Sequence, residues 1–269
     1  MTGKSTSTGT WSYDKIGNET AADSTPDYTR TGETWTDHSQ MSSITVNGTT
    51  YAGQYGSTDQ SERIKLGDTL FHNGPLGLSA KTTAGADMGF NREPGGTLNS
   101  MTTGGKTYFY LTDALGSVVA LADVDGNKVD SYTYSPRGVR ILAQPTEPVA
   151  QPYRFAGNYQ DPTGLYHLQA RYYDANIGRF TQPDPSGQEQ NPYLYAEGDP
   201  VNRIDPAGLH LGTGWALPVT SSRADTTWQP AILRACGGMS LGWRPVQPPA
   251  SPAKRSRPPV LHPCSERRR

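Results

Sequence analysis

QPYRFAGNYQDPTGLYHLQARYYDANIGRFTQPDPSGQEQNPYLYAEGDPVNRIDPAGL, residues 151–209, is the segment around which this 269-residue chain is organised. It is dense in aromatics, arginines and Asp-Pro pairs, and it stops abruptly at DPAGL. Upstream the chain is rich in Gly, Thr and Tyr and punctuated by turns; downstream it is rich in Pro and Arg and shows no pattern. Strands are expected over Tyr153–Tyr159 and Leu165–Tyr173. QDPTGL turns between them, because Pro162 fixes φ and Gly164 tolerates the left-handed region. Arg171 to Asp174 ends a strand, Asn176-Ile177-Gly178 turns, and Arg179-Phe180 opens a further extended piece. A short helix is expected near 191–197, with Asn191 as its cap and Pro192 at its first position.

Composition points the same way. Only 33% of the residues are hydrophobic, while Gly numbers 30 and Pro 22, so long helices are disfavoured and turns are frequent. Tyr outnumbers Phe by 15 to 5, and tyrosine suits half-buried strand positions, where its ring is covered and its hydroxyl stays wet. No run of apolar residues is long enough to form a membrane-crossing helix. The N-terminus, MTGKSTSTGTW, lacks the apolar core of a signal peptide, so the chain as it stands is expected in the cytoplasm.

Upstream of residue 151 the hairpin signals recur every 20–30 residues. Ile44, Val46, Thr49 and Tyr51 flank Asn47-Gly48, a pair suited to a turn that needs positive φ twice. TYFYLTD (107–113) and SVVALAD (117–123) read as strands. Asp125-Gly126 then turns the chain into a return strand over Val129–Tyr134. Such spacing implies stacked β-hairpins.

Two groups of residues carry a family resemblance. YDKIGNET (13–20) resembles the YD repeat, and YLTDALGSVVALADVDGNKVDSYTYSPRG (110–138) resembles the entry to the RHS repeat-associated core. YRFAGNYQDPTGLYHLQARYYDANIGRFTQPDP and NPYLYAEGDPVNRIDPAGL resemble that core's C-terminal end element by element. Ser135 and Arg137 depart from the family's YDPFG-type ending. The chain is thereby identified as similar to RHS core proteins of polymorphic toxins and to Tc toxin C subunits. The resemblance implies an all-β fold of stacked antiparallel hairpins, a partial shell, divided into YD-like hairpins (1–106), the core (107–209) and a variable tail (210–269). Fewer than 110 residues precede the core entry at Tyr108, so a truncated copy of a longer shell is expected.

The same resemblance implies chemistry. The family's core end acts as an aspartyl autoprotease that cuts after DPxGL and leaves the following segment free. Carried over, Asp184 and Asp205 are the carboxylate pair, Arg179 orients one of them, and the bond cut is Leu209–His210. Two carboxylates held together can share a proton, one acting as base toward water and the other as acid. The Asp-Pro pairs at Asp161 and Asp199 are read as turn residues alone. No cofactor is expected. The implied partners are upstream shell repeats, the chain's own C-terminal effector, a cognate immunity protein and a cell-surface target. The implied setting is secreted or cell-surface, within a larger parent protein. A non-catalytic structural or adhesive repeat is the alternative.

The tail differs in kind. Residues 210–269 hold nine Lys/Arg and two acids, a formal +7, which leaves −8 on residues 1–209 of a chain whose total is −1. With nine prolines and Trp215, Trp228 and Trp243 as its only large aromatics, the tail is expected to be largely disordered. It contains no recognisable enzymatic motif, and its two cysteines, Cys236 and Cys264, cannot form a disulfide framework. Nucleic-acid binding through its basic runs ranks last among the readings.

Overall fold

The computed structural model describes residues 10–25, 28–56, 60, 62–141 and 147–209. The basic tail with its expected disorder, and His210, lie outside them. Thirteen antiparallel strands form one sheet in strict chain order. They are β1 (Trp11–Tyr13), β2 (Glu19–Thr25), β3 (Tyr28–Trp35), β4 (Met41–Val46), β5 (Thr49–Gly56), β6 (Glu62–Leu66) and β7 (Thr69–Gly74). The sheet continues with β8 (Gly77–Thr83), β9 (Ala86–Arg92), β10 (Leu98–Thr103), β11 (Lys106–Thr112), β12 (Val118–Ala122) and β13 (Lys128–Ser131).

Alternation gives this sheet its two faces, because successive side chains along a strand point to opposite sides. Phe71 is buried while Leu70 is exposed, and Met88 and Phe90 are buried on either side of Gly89. The other face carries cross-strand hydroxyl pairs such as Thr45 with Thr50 and Thr102 with Thr107. Two kinds of turn join the strands. At Asn47-Gly48, φ is 49° and 80°, the doubly positive geometry expected there, and Val46 pairs directly with Thr49. The second kind is a five-residue turn headed mostly by aspartate. In Asp14–Asn18, Asp113–Ser117, Asp123–Asn127 and Asp161–Leu165 the first N–H donates to the fifth carbonyl, and the fourth residue's N–H donates to the first carbonyl. Glycine fills the fourth position each time, since φ there lies between 81° and 97°.

The segment opened by Gln151 covers the buried face. A hairpin of β14 (Thr133–Tyr134) and β15 (Arg140–Ile141) leads to a four-stranded sheet of β16 (Tyr159–Gln160), β17 (Tyr166–Leu168), β18 (Arg171–Asp174) and β19 (Arg179–Phe180). Tyr153 meets Phe90 and Tyr110 edge to face, and Tyr159 meets Phe71 likewise, with centroids 5.0–6.2 Å apart. Leu165 and Tyr172 join Met41, Ile44 and Val46 in a second cluster. Each such buried side chain contributes about 1.5–3 kcal/mol relative to exposure. A third cluster, of Tyr166, Tyr173, Phe180 and Tyr195, packs the segment's own interior.

Buried ion pairs fasten the two layers. Arg30 on β3 reaches Asp174 on β18 at 2.8 Å, and Arg63 on β6 grips Asp161 with two bonds of 2.6 and 2.9 Å. Breaking such a buried pair from one side leaves an uncompensated charge, at a cost of about 3–5 kcal/mol.

The all-β architecture of stacked antiparallel hairpins matches the sequence expectation, while several local elements differ. The strand expected over Tyr153–Tyr159 is interrupted by a 3-10 turn at Phe155–Gly157, leaving a single bridge between its ends. The strand expected over Leu165–Tyr173 is a hairpin of β17 and β18, reversing at Gln169-Ala170. Neither residue is a usual turn former. The Ala170 N–H is shared there between the Leu168 carbonyl inside the turn, at 2.7 Å, and the distant Ala207 carbonyl, at 3.1 Å. The helix expected near 191–197 is reduced to a 3-10 turn at Ala196–Gly198. The Asn191 side chain does accept the Tyr193 N–H, but the Pro192 and Tyr193 carbonyls are taken by Arg171 and by the Phe180 N–H rather than by helix bonds.

Candidate functional site

DPAGL, residues 205–209, forms a tight turn pinned inside the fold. Asp205 is 2% exposed. Its Oδ1 accepts the Gly208 N–H at 2.8 Å and the Leu209 N–H at 3.1 Å. Its Oδ2 accepts Arg171 Nη2 at 3.0 Å. Arg171 stands on β18, lies 3.6 Å above the Phe180 ring, and donates also to the carbonyls of Pro192 and Gly208. Burial pushes the Asp205 carboxyl above the usual range, against the opposing pull of Arg171 and the backbone N–H groups.

Asp184 heads the turn of the neighbouring Asp-Pro-Ser-Gly sequence. Its Oδ1 accepts the Ser186 N–H at 2.9 Å, and its Oδ2 accepts those of Gln188 and Glu189 at 3.0 and 3.1 Å. The Ser186 hydroxyl lies 2.8 Å from both carboxylate oxygens. Burial raises this carboxyl too, but the Ser186 and Glu189 hydrogen bonds and the Arg171 charge outweigh it and hold Asp184 below its ordinary value. The Ser186 hydroxyl also sits 3.2 Å from the Leu209 carbonyl oxygen. The two turns therefore meet at one residue: Leu209 gives its N–H to Asp205 and presents its carbonyl to Ser186.

Carboxylate capping alone does not distinguish these aspartates. Asp14, Asp113 and Asp123 head equivalent turns and each accepts two backbone N–H groups at 2.8–3.0 Å. Asp184 and Asp205 differ in their burial, in the charge of Arg171 and in their link to Leu209, direct from Asp205 and through the Ser186 hydroxyl from Asp184. Their environments also push the two carboxyls in opposite directions.

Arg179, expected at the carboxylates, stands elsewhere. Its guanidinium lies over the Tyr193 ring at 4.5 Å and the Tyr13 ring at 5.8 Å. The arginine that reaches Asp205 is Arg171, eight residues earlier on the adjacent strand. Arg171 and Ser186 are the two residues that sequence reasoning passed over. Arg171 carries no local signal, because its partner is 34 residues away. Ser186 had one: DPSG repeats the spacing of DPAG. Asp161 also exceeds its reading as a turn residue, since its carboxylate is the buried partner of Arg63. Asp199 stays within its own turn, its carboxylate accepting from Asn202 Nδ2 and its carbonyl from the Asn202 and Arg203 N–H groups. Among the described residues, no cluster of His, Cys, Asp and Glu is placed to hold a metal ion.

Comparison with known proteins supplies the context. The family model for the teneurin YD-shell matches residues 88–197. The tRNA nuclease WapA of Bacillus subtilis (strain 168) is 31% identical over 214 residues, covering 73% of this chain and 9% of that protein. The toxin protein Tse5 of Pseudomonas aeruginosa is 39% identical over 104 residues, 38% of this chain and 8% of that one. The chain thus spans under a tenth of the length of these relatives. The Photorhabdus luminescens Tc holotoxin pore superposes with a TM-score of 0.51 at 17% identity, covering 79% of this chain and 14% of that one, a likeness of fold. This chain carries a YD-shell segment of the kind built into RHS and polymorphic-toxin proteins.

Proposed function

We propose that this chain is the closing segment of a YD shell, and that its Asp184–Asp205 pair cuts the Leu209–His210 bond to free the segment that follows. The observation that carries this reading is the convergence of the two aspartate turns on Leu209. Asp184, held below its ordinary pKa, serves as the base that takes a proton from water. The water oxygen bonds to the Leu209 carbonyl carbon, and the bond to the His210 nitrogen breaks. The proton that Asp184 took passes to the departing amine, while Asp205, ionised against Arg171, fixes the Leu209 N–H and so the alignment of the bond. Arg171 holds Asp205 and the Gly208 carbonyl in place, so the scissile end of DPAGL is kept rigid.

The released segment fits the role of an effector, since relatives of this chain bear the names of toxins and nucleases. An immunity partner and export within a larger parent protein belong to the same reading. Intact-mass measurement of the purified chain tests it. Fragments split after Leu209, absent in Asp184→Asn and Asp205→Asn, are expected; an intact wild-type chain overturns the cleavage. The second reading, a non-catalytic structural repeat, is favoured by the recurrence of the same capped turn at Asp14, Asp113 and Asp123. It predicts an intact chain.

A further inference from the structure

Ser186 occupies a position that the carboxylate pair does not explain. Its hydroxyl lies within hydrogen-bond distance of three oxygens: both of Asp184, at 2.8 Å each, and the Leu209 carbonyl, at 3.2 Å. A hydroxyl has one proton to donate. While Asp184 is ionised, the carboxylate is the stronger acceptor and holds that proton. The Leu209 carbonyl is then in reach of the hydroxyl but receives little from it.

The balance reverses during hydrolysis. When Asp184 takes the proton from water it becomes neutral and can itself donate to Ser186 Oγ. At the same moment the Leu209 carbonyl oxygen gains negative charge and becomes the strongest acceptor nearby. We propose that Ser186 is a catalytic residue of this site, whose hydroxyl proton turns from Asp184 to the Leu209 oxygen as the tetrahedral intermediate forms. The inference rests on the proposed cleavage after Leu209. Atoms balance without any co-reactant beyond water: water supplies hydroxide to the carbonyl carbon and a proton to Asp184. When the carbon–nitrogen bond breaks, the oxygen returns to a carbonyl and the Ser186 proton turns back.

Such a contact is worth more in the transition state than in the ground state, which is the condition for accelerating the chemical step. It is also pre-positioned. Ser186 is placed by its own N–H on Asp184 Oδ1 at 2.9 Å, and Leu209 is placed by its N–H on Asp205. No large movement is needed for the hydroxyl to serve the oxyanion. Loss of a single donor of this kind slows an acyl-transfer step by about 10²–10³-fold.

The test follows full-length chain made by cell-free translation, scoring uncut and cut product against time. Ser186→Ala is expected to slow cleavage by roughly 10²-fold while still melting in one cooperative transition. Ser186→Thr, which keeps a hydroxyl, is expected to recover most of the rate. Three results overturn the assignment: wild-type cleavage by Ser186→Ala, equal loss in Ser186→Ala and Ser186→Thr with both folded, or loss explained by unfolding of Ser186→Ala with Ser186→Thr no faster. If these occur while Asp184→Asn and Asp205→Asn remain uncut, only the role of Ser186 falls. If the two asparagine variants are cut at the wild-type rate, or the wild-type chain is never cut, the cleavage reading falls and the inference with it.

Discussion

Arg171 and Asp205, 34 residues apart in the chain, form a buried ion pair at 3.0 Å that ties the closing DPAGL turn to the middle of the second sheet. The same guanidinium donates to the Gly208 carbonyl, two residues on from the proline that follows Asp205. The turn is therefore gripped from its carboxylate and from its backbone at once.

Arg171→Ala should abolish cleavage and destabilise the chain by about 3–5 kcal/mol, because Asp205 is left buried without its counter-charge. Arg171→Lys keeps the charge but cannot reach Asp205, Pro192 and Gly208 together, and it should recover stability only in part. Urea denaturation of both variants in an Asp184→Asn background, where no cut intervenes, measures the difference.

Gly208→Ala probes the turn itself. Its φ of +70° disfavours any side chain, and an added Cβ would lie 2.8 Å from the Leu168 carbonyl oxygen and 3.0 Å from the Arg171 nitrogen. Both neighbours are backbone, so the turn must shift. A loss of more than about 1 kcal/mol is expected, together with protease sensitivity confined to residues near 205–209. Limited proteolysis followed by mass measurement locates the cuts; an unchanged digestion pattern counts against the pinned turn.

Arg63→Ala should separate folding from cleavage. Arg63 and Asp161 lock β6 to the second layer, with the guanidinium 4.4 Å over the Phe71 ring. Neither residue contacts Leu209 among the described hydrogen bonds. A loss of about 3–5 kcal/mol in stability is expected, with an unchanged cleavage rate per folded molecule. A matching fall in that rate would show that the two sites are coupled.

Stability should also depend on pH through Glu33. Burial, and then the charge of Glu19, push its pKa from 4.5 up to about 8, against the pull of Arg30. Between these values the folded chain keeps a proton that the unfolded chain has released. The contribution is complete below the unfolded value and is lost as pH rises through the folded one, at up to about 1.4 kcal/mol per pH unit. Urea midpoints measured from about pH 5 to about pH 8 should fall in the wild-type chain, and Glu33→Gln should flatten the curve. Parallel curves for the two proteins would remove Glu33 as the cause.

Local chemistry made much of the fold legible. Asn47-Gly48 announced its hairpin because few residue pairs accept two positive φ angles. Gly126 and Gly164 announced their turns because glycine supplies the left-handed fourth residue. Gln169-Ala170 did not, since neither residue prefers a reversal and the Ala207 carbonyl that shares the Ala170 N–H lies far along the chain. The stretch around 191–197 misled for the same reason: Pro192 and Asn191 suit a helix start, but distant donors occupy the carbonyls.

The candidate site divides along the same line. The amino-acid order determined an all-β chain of hairpins, the turns at Asp184 and Asp205, and an end to the patterned region at Leu209, because turns and alternation are properties of neighbouring residues. Only the tertiary structure decided that Arg171 rather than Arg179 meets Asp205, that Ser186 faces the Leu209 carbonyl, and that Asp161 is a buried counter-ion for Arg63. Those pairings span 34, 23 and 98 residues. Which side chains meet over such separations is set by strand register and by the packing of one sheet on another, and nothing in the local sequence encodes it.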